Sequence, residues 1–430
     1  MSVYDVQPID HPLNARVQVP GSKSLTNRAF VTAALARGES TLRGVLLSDD
    51  TRYMMDALRS LGVPVLLDEA SCVAKVNGHA GHWPNTEADL FCGNAGTVMR
   101  FLTAACAVGG GRYQLDGIER MRQRPIGDLI AALRDLGASV GYSDKDGYPP
   151  VEIVNSSLRG GTVRFTSPPS SQMVSAILIA APNARADVMI DIAGDVVSQP
   201  YLAMTLSVME AFGVSAITED YRKFIVPAPQ YYQPTVYAIE PDASNATYFL
   251  AASAIAGGSV TVEGLGSNSV QGDVGFADVL ERMGCTVQRT ADAITVSRQV
   301  ATAPLQGIDV DLNAMPDTAQ TLAVVALFAQ GVTTIRNVAN LRVKETDRLT
   351  ALHNELTKLG AKVTMQEDSL AIEPPRQLQP AAIDTYDDHR MAMSFSLAGL
   401  KSPGVHINDP ACVNKTFPDY FQRFEAMQQA

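Results

Sequence analysis

Four short segments in the first half of the chain gather cations beside glycines and hydroxyls, a combination suited to holding small anions. The first, PGSKSLTNR from Pro20 to Arg28, runs into the apolar stretch AFVTAALA. Ser22 or Ser24 can cap a helix there, while Lys23 and Arg28 put positive charge at its N-terminal end. Unpaired N–H groups, hydroxyls and cations at a helix start make a ready phosphate or carboxylate site. Alone, the segment reads equally well as a simple cap with solvated charges. The second, LFCGNAGTVMR from Leu90 to Arg100, has Gly93 and Gly96 for close backbone approach and Asn94 and Thr97 for hydrogen bonds. The third, RMRQRPIGDL from Arg120 to Leu129, sets Arg124 before Pro125, a residue suited to a first helical turn. Its alternating arginines would also suit a solvated surface. The fourth, SPPSSQM from Ser167 to Met173, is another polar helix start.

The second half repeats the theme and adds carboxylates. Asp317 opens a helix in AMPD, and NLRVKETDR from Asn340 to Arg348 puts Lys344 and Arg348 one helical turn apart with Glu345 beside them. DDHRM from Asp387 to Met391 begins the helix AMSFSLAGL, and Lys415 follows near the end. KETDR taken singly reads as a salt-bridged helix face. It reads differently because five or six such turns fall at equivalent points of a repeat. Lys23, Arg28 and Arg124 from the first half, with Lys344, Arg348, Arg390 and Lys415 from the second, predict an interdomain cleft for two anionic ligands. Ligands drawing the domains together would expel water and strengthen each contact. Asp317 and Glu345 in so cationic a pocket are candidates for proton transfer.

The elements that position these residues recur along the whole chain. ALRSLGVPV, ALRDLGASV, VMEAFGVSA, VLERMGCTV and ELTKLGAKV each read as an amphipathic helix stopped by a glycine and followed by a strand. Their glycines, Gly62, Gly137, Gly213, Gly284 and Gly360, are spaced by 75, 76, 71 and 76 residues. Between them run Ala-rich stretches with no polar face, such as AALARGESTLRG and AASAIAGGSVTVEG, which predict buried helices leading into strands. Counting a looser copy, ILIAAPNARADVMIDIAG, the pattern gives six α/β units. Units of this length exceed the roughly 20–50 residues of solenoid repeats. Six copies divide into two pseudo-symmetric domains of three.

Composition narrows the function. A net charge of −11 disfavours nucleic acid and anionic membrane as partners. The five cysteines are scattered with no CxxC pair, which suits a reducing compartment, and the start MSVYDVQPIDHP lacks secretory character. A cytoplasmic location is the expectation. No dinucleotide fingerprint, P-loop or metal-ligand spacing occurs, so no cofactor and no metal are expected.

PGSKSLTNR, GNAGTVMRF, RPIGDL, SSQM, PDASNATYFLAA, LRVKETDR and DDHRMAMS, in this order, resemble the signature blocks of the EPSP synthases over essentially the whole chain. The resemblance implies an α/β (α+β) fold, the inside-out barrel of enolpyruvyl transferases, with three βαβαββ-type repeats around buried helices in each domain. It implies one domain of residues 1–20 and 241–430 and an inserted one of residues 21–240. The implied reaction is cofactor-free enolpyruvyl transfer from phosphoenolpyruvate to the 5-hydroxyl of shikimate 3-phosphate, by a monomer. Shikimate 3-phosphate would meet Lys23, Ser24, Arg28, Ser170, Ser171, Gln172, Ser198, Tyr201, Asp317, Asn340 and Lys344. Phosphoenolpyruvate would meet Lys23, Asn94, Gly96, Thr97, Arg124, Gln172, Arg348, Arg390 and Lys415. Asp317 would accept the hydroxyl proton and Glu345 handle the C3 proton, with Lys23 and His389 also catalytic. The family block reads GNAGTAMRP, and Val98 and Phe101 depart from it here, implying altered sensitivity to the inhibitor glyphosate. The sister transferase acting on UDP-N-acetylglucosamine carries a loop cysteine that the stretch Asp116–Arg124 lacks. The related RNA 3′-terminal phosphate cyclases fit poorly with the acidic charge.

Overall fold

Gly62, Gly137, Gly213, Gly284 and Gly360 have φ between +78° and +106°, a region that a Cβ disfavours. Each ends a helix that is only partly buried: Asp49–Ser60, Gly127–Asp135, Gln199–Ala211, Phe276–Arg282 and Arg348–Lys358. At the first, Gly62 N–H donates to the Arg59 carbonyl (2.9 Å) and Val63 N–H to that of Leu58 (3.0 Å). These bonds satisfy carbonyls that the helix leaves open and turn the chain into the next strand.

The computed structural model describes residues 2–430. Among these residues, the Ala-rich stretches form the buried helices Lys23–Leu35, Gly96–Cys106, Ser171–Ala180, Ala243–Ala256, Ala319–Val325 and His389–Gly399. Every residue of Ala243–Ala256 is buried, as the lack of a polar face predicts. Each buried helix is followed by a strand of a small mixed sheet. In one repeat, Glu87–Phe91 runs parallel to Arg112–Asp116, which pairs antiparallel with Val151–Val154 and through it with Val140–Tyr142. The same parallel-then-antiparallel order recurs in the other four-stranded sheets. No sheet among the described residues closes into a barrel.

The strands at the two crossings exchange places. Leu13–Gln18 precedes the helix Lys23–Leu35 but lies parallel to Gly258–Glu263, while Val236–Ala238 precedes Ala243–Ala256 but lies parallel to Arg37–Arg43. The chain therefore divides into a unit of Gly21–Ile239 and a unit of the residues up to Pro20 and from Glu240 onward. In the first, Asn27 Nδ2 donates to Thr97 Oγ1 (2.8 Å) between two buried helices. In the second, Thr321 Oγ1 lies 3.0 Å from Thr247 Oγ1 and 3.4 Å from Ser394 Oγ, joining its three buried helices.

Gln320 sits in that second core, fully buried, with neither amide atom hydrogen-bonded among the described residues. A buried polar group left unsatisfied costs about 1–3 kcal/mol. Gln320→Met keeps the volume and removes the polar atoms, so it should raise stability by about that amount. Calorimetry is expected to show an upward shift of a few degrees for a domain of about 200 residues. A lowered Tm would contradict the assignment.

Candidate active site

In the unit Gly21–Ile239, Ser22 caps the helix that carries Lys23 and Arg28, its Oγ accepting from Leu25 N–H (3.4 Å). Lys23 Nζ lies 3.3 Å from the buried carboxylate of Asp50. Arg28 is only 1% exposed. Its Nε donates to Thr205 Oγ1 (2.8 Å), Nη1 to the Ser24 carbonyl (3.0 Å) and Nη2 to Ser175 Oγ (3.3 Å) and the Tyr201 carbonyl (3.2 Å). Its guanidinium carbon stands 5.1 Å from the centre of the Phe101 ring. Burial lowers its pKa to about 10, against the opposing influence of Tyr201 and Tyr237, so it remains a cation at neutral pH.

Arg124, 3% exposed, donates from Nη1 to the backbone oxygen (2.8 Å) and Oδ1 (3.1 Å) of Asn94. A Cβ on Gly96 would lie 2.7 Å from both Arg124 Nη2 and Arg100 Nη1, so glycine is what lets the two guanidinium groups approach this turn. Arg100 in turn donates to the carbonyls of Gly96 (3.1 Å) and Pro125 (2.7 Å) and to Gln172 Oε1 (3.3 Å). Ser170 caps the helix Ser171–Ala180 by accepting from Gln172 N–H (3.2 Å), and Ser198 stands in the left-handed region before Gln199–Ala211. Among the described residues, no carboxylate pairs with Arg28 or Arg124. Two buried, uncompensated cations are costly to a fold and suit a site awaiting an anion.

The other unit arranges its charges differently. Asp317 lies on the turn Pro316–Thr318. Its Oδ1 accepts from Arg348 Nη1 (3.0 Å) and faces Lys344 Nζ (3.5 Å), and its Oδ2 accepts from Arg390 Nη2 (3.0 Å). Burial would raise its pKa, but Arg390, Lys344 and Arg348 together hold it well below the usual carboxylate range, with Glu345 opposing. Arg348 donates from Nε and Nη2 to the two oxygens of Asp388 (2.7 and 3.2 Å), and its Nη2 also faces Glu345 Oε2 (2.9 Å). Burial opposes the charge on Arg348, yet Asp388, Glu345 and Asp317 outweigh it and raise its pKa. Asp388 also caps the helix His389–Gly399, accepting from Arg390 N–H (2.9 Å). Arg390 Nη1 reaches Tyr248 Oη (3.3 Å), whose pKa burial pushes up to about 12 despite that cation. His389 is fully buried, with Nδ1 3.5 Å from Asp388. Asn340 Oδ1 is buried without a hydrogen-bond partner among the described residues. Lys415 is buried near the end of the chain, and its charge lowers the pKa of Asp387 against the dominant effect of burial.

LRVKETDR is not a helix with Lys344 and Arg348 one turn apart. Ala339–Val343 is a short 3-10 helix, Lys344 lies beyond it, and the α-helix starts at Arg348 because Asp347 caps it by accepting from Thr350 N–H (3.1 Å). The two cations still converge, on Asp317. Of the alternating arginines, Arg124 is buried, whereas Arg122 makes a surface ion pair with Asp116 (2.5 Å). Asn94 and Thr97 spend acceptor capacity on Arg124 and Asn27. Sequence reasoning passes over Asp50, Arg100, Ser175, Thr205 and Asp388. Asp50 follows Ser48 at a helix start and looks like ordinary capping acidity; the need of Lys23 for a counter-charge is the one signal that points to it.

The family model described as EPSP synthase (3-phosphoshikimate 1-carboxyvinyltransferase) matches residues 8–424. A curated protein of Sulfurovum sp. (strain NBC37-1) named 3-phosphoshikimate 1-carboxyvinyltransferase is 50% identical over 429 residues, covering 99% of each chain. One of the same name from Vibrio vulnificus (strain YJ016) is 49% identical over 431 residues and covers 100% of both. Among solved structures, an EPSP synthase from Acinetobacter baumannii aligns with a TM-score of 0.81 at 26% identity, over 99% of this chain and 98% of its own.

Proposed function

The chain belongs to the EPSP synthase family, and from that premise we propose that it transfers the enolpyruvyl group of phosphoenolpyruvate to the 5-hydroxyl of shikimate 3-phosphate. The observation that carries this reading to the site is the pair of buried guanidinium groups, Arg28 and Arg124, with no carboxylate partner among the described residues. Doubly charged phosphate esters supply the missing anions. In the proposed assignment, Lys23, Ser24, Arg28, Ser170, Ser171, Gln172, Ser198, Tyr201, Asn340 and Lys344 hold shikimate 3-phosphate. Phosphoenolpyruvate takes Lys23, Gly96, Arg124, Gln172, Arg348, Arg390 and Lys415, with Asn94 and Thr97 shaping the turn. Arginine suits planar carboxylate and phosphate because its donors form a fixed fork.

The chemistry is an addition followed by an elimination. The 5-oxygen bonds to C2 of phosphoenolpyruvate, its proton passing to Asp317, while C3 takes up a proton from Glu345. The C2–O bond to phosphate then breaks as C3 returns a proton, for which Glu345 is the proposed acceptor. Positioning and electrostatic support of the developing charge account for most of the acceleration. Proton NMR of a mixture with both substrates should show new vinylic signals of the enol ether. Their absence, or their appearance with UDP-N-acetylglucosamine instead, would overturn the reading.

Glyphosate is the inhibitor expected to respond to the departures Val98 and Phe101, both fully buried on the helix Gly96–Cys106 that begins at the Gly96 turn. Its inhibition constant should change when Val98→Ala and Phe101→Pro restore the family block. An unchanged constant would contradict a role for these positions.

A further inference from the structure

Asp317 and the cations around it point to an order of events. Both carboxylate oxygens are occupied: Oδ1 by Arg348 Nη1 (3.0 Å) with Lys344 Nζ at 3.5 Å, and Oδ2 by Arg390 Nη2 (3.0 Å). Arg348 is anchored on its other edge by the bidentate grip of Asp388, so its Nη1 is the end directed at Asp317. Arg390 is fixed at its backbone by the same Asp388 and at Nη1 by Tyr248, which leaves Nη2 for Asp317. Two rigidly backed guanidinium groups thus hold a carboxylate between them, in the way they would hold the carboxylate of a small acid.

We propose that phosphoenolpyruvate activates the base of its own reaction, its carboxylate replacing Asp317 on Arg348 and Arg390 and so freeing Asp317 to accept the 5-hydroxyl proton. This rests on the reading of Asp317 as base and of the two arginines as phosphoenolpyruvate ligands. The exchange is of ion pairs alone, and no bond is made or broken in it.

The physical gain is in proton affinity. While Arg390, Lys344 and Arg348 face it, Asp317 is held well below the usual carboxylate range, burial and Glu345 acting the other way. A base that weak takes a hydroxyl proton poorly, since proton transfer works best when the acceptor's pKa lies nearer the working pH. An incoming carboxylate takes over the two guanidinium donors and adds a negative charge beside Asp317, and both effects raise its pKa. Lys344, 3.5 Å from Asp317 before the exchange, limits the rise. Hydroxyl activation is thereby tied to the presence of the second substrate, and shikimate 3-phosphate alone leaves the base quenched.

The test uses the full-length protein labelled with carbon-13 at the aspartate carboxyl carbons, the Asp317 signal being identified by its loss in Asp317→Asn. Titration is followed with shikimate 3-phosphate alone and again with phospholactate added, an analogue with the same carboxylate and phosphate but no double bond. The expected result is an upward move of the Asp317 midpoint by one unit or more, a tenfold gain in proton affinity. An unmoved or lowered midpoint, with phospholactate binding established by calorimetry, would overturn the proposal and leave the site assignment standing. Unchanged phospholactate affinity in Arg390→Gln, folded by circular dichroism, would overturn it through its premise.

Discussion

Asp317→Asn should lower kcat/KM by about 10²–10⁴-fold, the usual worth of a positioned general base. It should also weaken the fold, because Lys344, Arg348 and Arg390 all face this carboxylate. Removing one member of a buried ion pair costs about 3–5 kcal/mol. The side chain of Asp317 is 16% exposed, so the lower part of that range is expected. The sign with pH follows from the depressed pKa. A carboxylate whose pKa is lower in the folded state stabilises it fully above the unfolded value of about 3.9. That contribution is lost as pH falls through the folded value. The stability gap between the parent protein and Asp317→Asn should therefore be full at pH 7 and shrink only under strongly acid conditions. Urea unfolding at several pH values measures it, and a gap that widened with acid would contradict the assignment.

Arg28→Lys should raise KM for shikimate 3-phosphate by about 30-fold or more, with a smaller effect on phosphoenolpyruvate. Truncating a buried, hydrogen-bonded charge contact costs about 2–5 kcal/mol, and each 1.4 kcal/mol is about tenfold. Lysine keeps the charge but loses the fork that reaches Thr205, Ser175 and the carbonyls of Ser24 and Tyr201. It also lacks the flat guanidinium that faces Phe101. Thr205 Oγ1 and Ser175 Oγ are bonded to each other at 2.8 Å, so these hydroxyls keep a partner and the variant should fold. Steady-state kinetics with each substrate varied separates the two effects. An unchanged KM for shikimate 3-phosphate would remove Arg28 from its proposed role.

What sequence can reveal here follows from how local each signal is. A glycine that ends a helix needs only its own φ, so Gly62 through Gly360 mark five helix ends by residue type and spacing alone. The Ala-rich stretches announce burial because they have no polar face, and Ala243–Ala256 is buried throughout. Lys23, Arg28 and Arg124 stand out because cations beside glycines and hydroxyls are conspicuous in an acidic chain. Pairings between distant segments leave no local trace. Asp50 shows its part only when the fold brings it to Lys23, and Asp388 only when it grips Arg348 from 40 residues away. KETDR misleads because its spacing mimics a salt-bridged helix, while the cap at Asp347 starts the real helix one residue later. The swap of Leu13–Gln18 and Val236–Ala238 between sheets is likewise invisible to periodicity, since both segments have ordinary strand character.

Enolpyruvyl transfer to shikimate 3-phosphate is tested by phosphate release from the purified protein given phosphoenolpyruvate and shikimate 3-phosphate, each alone and both together, beside Asp317→Ala. Release is expected only with both substrates present, and should collapse in the variant. Release from phosphoenolpyruvate alone, or full release by Asp317→Ala, would contradict this reading.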